Sequence, residues 1–374
     1  MMKKTLVALA ALSAMAGAAQ AQSSVTLYGI VDAAVRVSDN EGVGHDSRVR
    51  VIGGGMSQSR WGIRVDEDLG GGLRTLANLE NRFTTDDGTQ QNGVQFSQAW
   101  VGIQSSSWGR ITLGRQYNVL FDMMTTTYAP YKFSPYIEAF KPELTVQGAG
   151  GAAGLGSRNN NMVKYALTVG GLTAEAQVSA GEGDPALLKS YGAAARYVTG
   201  GLGFGGGYIE SETVGGLKAK VYQVGVAYTM GPLYVNYSYG KNEFDAGIGA
   251  AAISAALFGT ALTVPVATNS TTVGERELHT VGMTYNFTPA MLVGFQYYYG
   301  KQTAVDGSSN GKVDAFSVLF DYAFSKRTDG YIGADYTKLK DGLVINGTFA
   351  SPATAASTGA TDRTSVMVGL RHRF

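Results

Sequence analysis

The 374-residue chain has no cysteine, which excludes thiol catalysis, thiolate metal sites and a disulfide scaffold. Proline is scarce, at 8 residues, and beyond the N-terminal leader no apolar run is long enough for a membrane-spanning helix. There is no surplus of either charge: without Lys3 and Lys4 of the leader, 28 basic residues face 29 acidic ones, so nothing points to nucleic acid or to an acidic partner. Histidine is limited to His45, His279 and His372, none at metal-ligand spacing. No nucleophile–His–acid motif is recognisable, and strand alternation puts Asp314 and Asp321 on different faces, against a paired-carboxylate site. No catalytic residue, metal or cofactor is therefore expected.

Glycine (52), tyrosine (21) and phenylalanine (15) are plentiful instead. Met1–Ala21 has a basic start, a short apolar run and Ala19-Gln20-Ala21 at its end, the form of a secretory signal peptide; residues 22–374 form one domain. An exported chain of this size without disulfides needs a large core or closed hydrogen bonding. The mean hydropathy of −0.02 fits either a large soluble β protein or a transmembrane barrel, because alternation hides a lipid face from any average.

Strand length and count separate the two. In Val25–Val37, Val25, Leu27, Val31, Val35 and Val37 share one face and Thr26, Tyr28, Asp32 and Arg36 the other, a period of two. After a polar, Gly-containing stretch (Ser38–Gly55), Trp61, Ile63 and Val65 alternate with Arg60, Arg64 and Asp66, and Gly70–Gly72 reverses the chain. The unit of strand, short turn, strand, longer polar loop recurs to Phe374. Short turns fall at Ser106–Gly109, Gly170–Gly171, Thr199–Gly201, Met230–Pro232, Thr288–Ala290 and Ser325–Gly330. About sixteen strands of roughly ten residues, with loops alternating short and long, describe an antiparallel transmembrane β-barrel with its short turns in the periplasm. Tyr297, Tyr299, Phe316, Phe320, Tyr322 and Phe324 suit aromatic girdles at its two interfaces.

One connection is not a turn. Between GRITLGRQYN (Gly109–Asn118) and NMVKYALTVG (Asn161–Gly170), residues Val119–Asn160 read as a long irregular segment. A structureless connection of that length belongs in a compact domain only if it is functional. In a wide barrel it can fold into the lumen and set the bore.

The AQA site followed by SSVTLYGIVDAAV, the SRWGIR…EDLGGGL run, AWVGI…GRITLGRQYN, RNNNMVKY and the terminal Arg373-Phe374 together resemble the Gram-negative general diffusion porins of the beta-proteobacterial type. The resemblance covers the whole mature chain. It implies a homotrimer of sixteen-stranded barrels in the outer membrane, each with its third external loop bent into the pore. Further implied contacts are outer-membrane lipid and lipopolysaccharide, and an assembly machinery that reads Phe374. It also implies basic side chains on the wall facing carboxylates on that loop. The matching positions are Arg60, Arg64, Arg115 and Arg158, with Asp122 on the loop. The sequence departs from the family at the loop tip, YAPYKFSPYIEAFKPELT, so Glu138 and Glu143 are assigned by location alone.

Alternation adds Arg74 and Arg82 to the lumen face, together with Glu80. Arg115 breaks the pattern, since strict alternation puts it with lipid-facing Ile111 and Leu113, where a charge costs about 2–4 kcal/mol at the midplane. The strand is expected to end or bulge there, turning Arg115 inward. Arg60, Arg64, Arg82, Arg115 and Arg158 against Asp122, Glu138 and Glu143 predict passive diffusion of ions and small hydrophilic solutes with a mild anion preference. The competing readings are an adhesin or receptor working through its external loops, and a barrel enzyme.

Overall fold

A computed structural model of the protein describes residues 23–40, 46–90, 95–128, 157–182, 189–246, 273–304, 310–341 and 360–374. They form one antiparallel sheet: β1 (Ser24–Ser38), β2 (Arg48–Gly53), β3 (Arg60–Gly70), β4 (Leu73–Arg82), β5 (Gln98–Ser105), β6 (Gly109–Tyr117), β7 (Arg158–Val169), β8 (Leu172–Ser179) and β9 (Lys189–Thr199). It continues through β10 (Leu202–Glu212), β11 (Lys218–Met230), β12 (Leu233–Phe244), β13 (Val273–Thr288), β14 (Met291–Ala304), β15 (Gly311–Ala323), β16 (Thr328–Lys340) and β17 (Asp362–Arg373). One helix, α1 (Val119–Thr127), follows β6. The turns join neighbouring strands where short connections were expected.

The sheet closes on itself. β1 pairs with β17 from Ile30↔Arg373 to Ser38↔Ser365, and Gly29 and Phe374 exchange backbone hydrogen bonds of 3.1 Å each way. Closure matters because unpaired backbone groups in hydrocarbon each cost several kcal/mol, and a closed barrel has no edge.

The seventeen segments fill sixteen places in the wall. β1 pairs with β2 along Ala33–Ser38 and with β3 along Ser24–Ile30, so β2 and β3 share one position. The polar stretch 38–55, expected as a connection, thus contains a strand. Its pattern, Arg48-Val49-Arg50-Val51-Ile52, does alternate, but at 6 residues it is too short to stand out among polar neighbours. Residues 54–59 leave the wall between the two segments and wrap around Asp32, which has no exposed surface. Asp32 Oδ2 accepts from the backbone N–H groups of Met56 (3.0 Å) and Ser57 (2.6 Å), and Oδ1 from the Tyr331 hydroxyl (2.5 Å). The Asp32 carbonyl accepts from Gly54 N–H, the Ser59 hydroxyl and the Thr85 hydroxyl.

Alternation sorts the side chains into an outside and an inside. Val25, Leu27, Val49, Val101, Val224, Val281, Phe295, Ile332 and Leu370 are exposed on the outer face, an apolar band without a water-excluding partner in the chain. Asp32, Arg36, Glu80, Gln223, Gln296, Ser317 and Arg371 lie on the opposite face and are buried. This is inside-out relative to a soluble protein and suits a wall with lipid outside and a polar lumen within.

Asp32→Ala leaves three donors buried without acceptors, each worth about 1–3 kcal/mol when unsatisfied. The urea midpoint of the barrel in lipid vesicles should fall by the equivalent of about 3 kcal/mol; an unchanged midpoint would show that the 54–59 connection is held by something else.

Candidate functional site in the barrel lumen

The long segment after β6 begins as a helix. The Asn118 side chain caps it by accepting from Phe121 N–H at 2.9 Å, satisfying one of the donors a helix N-terminus leaves open. Residues 119–127 were expected to be irregular; VLFDMMTTT is only 9 residues long, so its apolar stripe of Val119, Leu120, Met123 and Met124, opposite Asp122, Thr125 and Thr126, is too brief to stand out. Val119, Leu120, Met123, Met124 and Tyr128 are buried against β9, β10 and β11.

The face it covers is the lumen face. Phe204, Val224 and Val226 point outward, whereas Gly203, Gly205, Gly207 and Gly225, on the opposite face of the same strands, lie beneath α1. A Cβ at Gly207 would come within 2.7 Å of Leu120 Cδ2, and one at Gly225 within 2.4 Å of the Tyr128 ring. These glycines leave the room in which the helix sits. The first residues of the segment therefore do turn into the lumen. Residues 129–156, including Glu138 and Glu143, lie outside the described residues.

The basic wall gathers around Glu80, a buried carboxylate on β4. Arg82 Nε is 2.9 Å from Glu80 Oε1, Arg60 Nη1 is 3.8 Å from Oε2, and Arg158 Nη2 is 3.9 Å from Oε1. The Tyr117 hydroxyl accepts from both Arg158, at 2.7 Å, and Arg82. The Arg158 guanidinium also lies 4.3 Å from the centre of the Tyr117 ring, and Tyr117 stacks on Phe121 of α1 with centroids 4.4 Å apart. Arg64 joins at one remove: it sits over the Tyr28 ring at 4.1 Å, and the Tyr28 hydroxyl donates to Glu80 Oε2 at 3.2 Å. Four of the five predicted arginines are thus brought together by one carboxylate and two tyrosines.

Arg115 is held differently. The β6–β7 register slips between Gly114 and Gln116, where Gly114 has φ +123°, so the expected irregularity is present. Arg115 is half-buried and bonds Asn160 on β7. Asp122 on α1 pairs with Lys164 of β7, whose Nζ also donates to the Tyr117 carbonyl at 2.8 Å. Lys164 therefore ties the start of the helix to the wall.

The sequence places Glu80 and Tyr28 on the inner face, and its reading misses Tyr117 and Lys164 as anchors. Lys164 alternates with outward Val163 and Tyr165 and was readable as a lumen residue. Tyr117 was not, because the chain turns into α1 directly after it. A second ionic group continues the wall: Arg371 Nε and Arg373 Nη1 bind Asp329 at 2.9 and 2.5 Å, and Arg371 reaches the Ser57 hydroxyl at 2.6 Å. The 54–59 connection links the two groups, since Gln58 also accepts from Arg60 and Arg82.

Residues 8–342 match the family model of the Gram-negative porins. The chain belongs to that family. It is 30% identical to outer membrane porin protein 32 of Delftia acidovorans and 29% identical to an outer membrane porin protein of Bordetella pertussis, in each case across the full length of both chains. In structure it is similar to the anion-selective porin from Comamonas acidovorans, with a TM-score of 0.74 and 25% identity over 94% of this chain and 100% of that one. The OmpF porin of Salmonella typhi, at 17% identity and a TM-score of 0.62, shares the fold. This porin is a multi-pass β-barrel of the outer membrane, a general diffusion channel through which ions and small hydrophilic solutes move passively.

The glycine bed gives a test. In Gly225→Leu the side chain occupies the space of the Tyr128 ring. The barrel should still form, read as a heat-dependent shift on a gel, while single-channel conductance becomes larger and noisier as α1 leaves the wall. A conductance trace like that of the unmodified porin would mean that the helix does not shape the bore.

Proposed function

We propose that this porin carries a mild preference for anions and that the preference arises at the Glu80 group. The observation that carries this reading is the local charge count. Arg60, Arg82 and Arg158 surround one carboxylate, and Lys164 offsets Asp122 nearby. Interactions across open water are screened within about 8–10 Å at physiological salt, so a local excess outweighs the near-zero charge of the whole chain. The structurally similar Comamonas acidovorans protein is an anion-selective porin, which supports the same sign here.

Passage is diffusion, with a bore narrowed by the segment that α1 begins; solutes are sorted by size and by the field of the arginine wall, with no catalytic step. Arg60, Arg64, Arg82 and Arg158 form the basic side, Arg115 adds positive potential behind Arg158, and Asp122 is the acidic residue at the base of the inward segment. Glu138 and Glu143 are assigned to that side by their place in the sequence alone. The working form is a homotrimer, made from a mature chain starting at Gln22. Lipopolysaccharide surrounds the trimer, and the assembly machinery takes up Phe374.

The test is the reversal potential of single channels in a salt gradient. The unmodified porin should favour anions, and the Arg60→Ser, Arg82→Ser, Arg158→Ser triple variant should bring the anion-to-cation permeability ratio close to one or below it. A ratio unmoved by the three substitutions would relocate selectivity away from this wall.

A further inference from the structure

Among the described residues, α1 is not alone inside the wall. Where β2 gives way to β3, residues 54–59 cross the inner faces of β16, β17 and β1. A Cβ at Gly55 would meet the Tyr331 hydroxyl of β16 and come within 3.0 Å of Ala34 Cβ on β1. Met56 is buried in the apolar cluster that includes both residues, and the Ser57 hydroxyl accepts from Arg371 of β17 at 2.6 Å. β17 stands eight places from β9 whichever way the sixteen-place wall is followed, so this connection faces α1 across the lumen.

Gln58 lies near the end of this connection, two residues before Arg60 begins β3, and it is only half-buried. Its carbonyl accepts from Arg60 Nε at 3.1 Å, and its side-chain Oε1 accepts from Arg82. On their other sides the same two guanidiniums meet Glu80. Each is therefore gripped by a carboxylate of the wall and by an amide of the connection. The amide fixes direction through a charge-assisted hydrogen bond and subtracts no charge. Gln58 Nε2 is not enclosed and has no hydrogen-bond partner among the described residues, so it stays a donor for a solute oxygen. Arg82 also donates to Tyr117, which stacks on Phe121. Through Arg82, Gln58 is placed level with the helix.

We infer that Gln58 is a selectivity-determining residue of this channel: it narrows the bore on the side opposite α1, aims Arg60 and Arg82 at the passing solute and leaves their charge uncompensated. The inference rests on the reading of the Glu80 group as the seat of the anion preference. Glutamine combines two properties that its neighbours in chemistry lack. Asparagine is one methylene too short to span from the connection to Arg82, and glutamate has the reach but would set a second carboxylate against the three guanidiniums.

The experiment is the reversal potential of the whole barrel in a planar bilayer under a salt gradient, at neutral and at low pH. Q58E keeps the length and shape of the side chain and adds one negative charge. At neutral pH its anion-to-cation permeability ratio should fall about threefold, the effect of a unit charge within a few ångströms of the path in water. Below a pH of about 3 the introduced carboxyl is protonated and becomes a neutral isostere of the amide, so the ratio should rejoin that of the unmodified porin at the same pH. Q104E puts the same charge on the lumen face of β5 about 20 Å from Glu80, beyond the screening length, and should leave the ratio unchanged. Q58A keeps the test open if Q58E fails to fold: conductance should rise and the anion preference weaken, and a channel unchanged in both would overturn the inference. A Q58E ratio equal to that of the unmodified porin, while the Arg60/Arg82/Arg158 triple variant loses its preference, would overturn it and leave the arginine wall standing. A Q58E shift that persists at low pH would also overturn it, as displacement of the connection rather than charge. No movement in either Q58E or the triple variant would sink the wall reading together with the inference.

Discussion

Everything in this molecule depends on the pairing of its first and last strands. A chain that must leave no backbone N–H or C=O unpaired in hydrocarbon can cross with helices or with a closed sheet, and among the described residues no helix is long and apolar enough for the first. Closure at β1–β17 defines an inside, and only then do the polar faces of the strands become a wall around water. It also explains why Phe374 is seated on Gly29 rather than left as a frayed end. In a barrel the terminal residue is part of the seam.

The same constraint explains what was legible in the sequence. A strand with lipid on one side and water on the other writes its period of two openly, as in Val25–Val37 or Val366–Leu370, so the strands, the tight turns and the lumen face of Arg60, Arg64 and Arg82 could be read directly. What could not be read is where the chain departs from the wall. β2 is too short to announce itself, and the 54–59 connection is fixed by a carboxylate on another strand, Asp32. α1 is only 9 residues long, so its apolar stripe is brief, and its cover comes from the inner faces of β9–β11. Tyr117 acquires its role from Arg82 of β4 and Arg158 of β7, which are distant in sequence and meet only in the paired sheet.

The cations are divided by type. Among the described strand residues the lumen face carries arginines, with Lys164 as its one lysine, while the outer rim carries the other lysines. Physical chemistry favours this division. A guanidinium has five donors in a fixed plane, so Arg82 can hold Glu80, Gln58 and Tyr117 at once and remain charged within a crowded wall. An ammonium on a flexible stem suits a rim, where the stem lies along apolar surface and the head reaches water or a headgroup.

Crowding also shapes the arginine wall proposed to act on solutes. Three guanidiniums pressed together would repel one another and splay apart. Glu80, fully enclosed by them, cancels part of that repulsion and fixes their directions while leaving two of the three charges uncompensated. Tyr117 does the same with a neutral acceptor, which orders Arg82 and Arg158 without subtracting charge. Because Tyr117 also stacks on Phe121, the positive wall and the inward helix are one rigid unit. On the proposed reading, bore and field are set by the same residues: a solute passing α1 does so within the screening length of the arginines, so size and charge act together rather than in sequence.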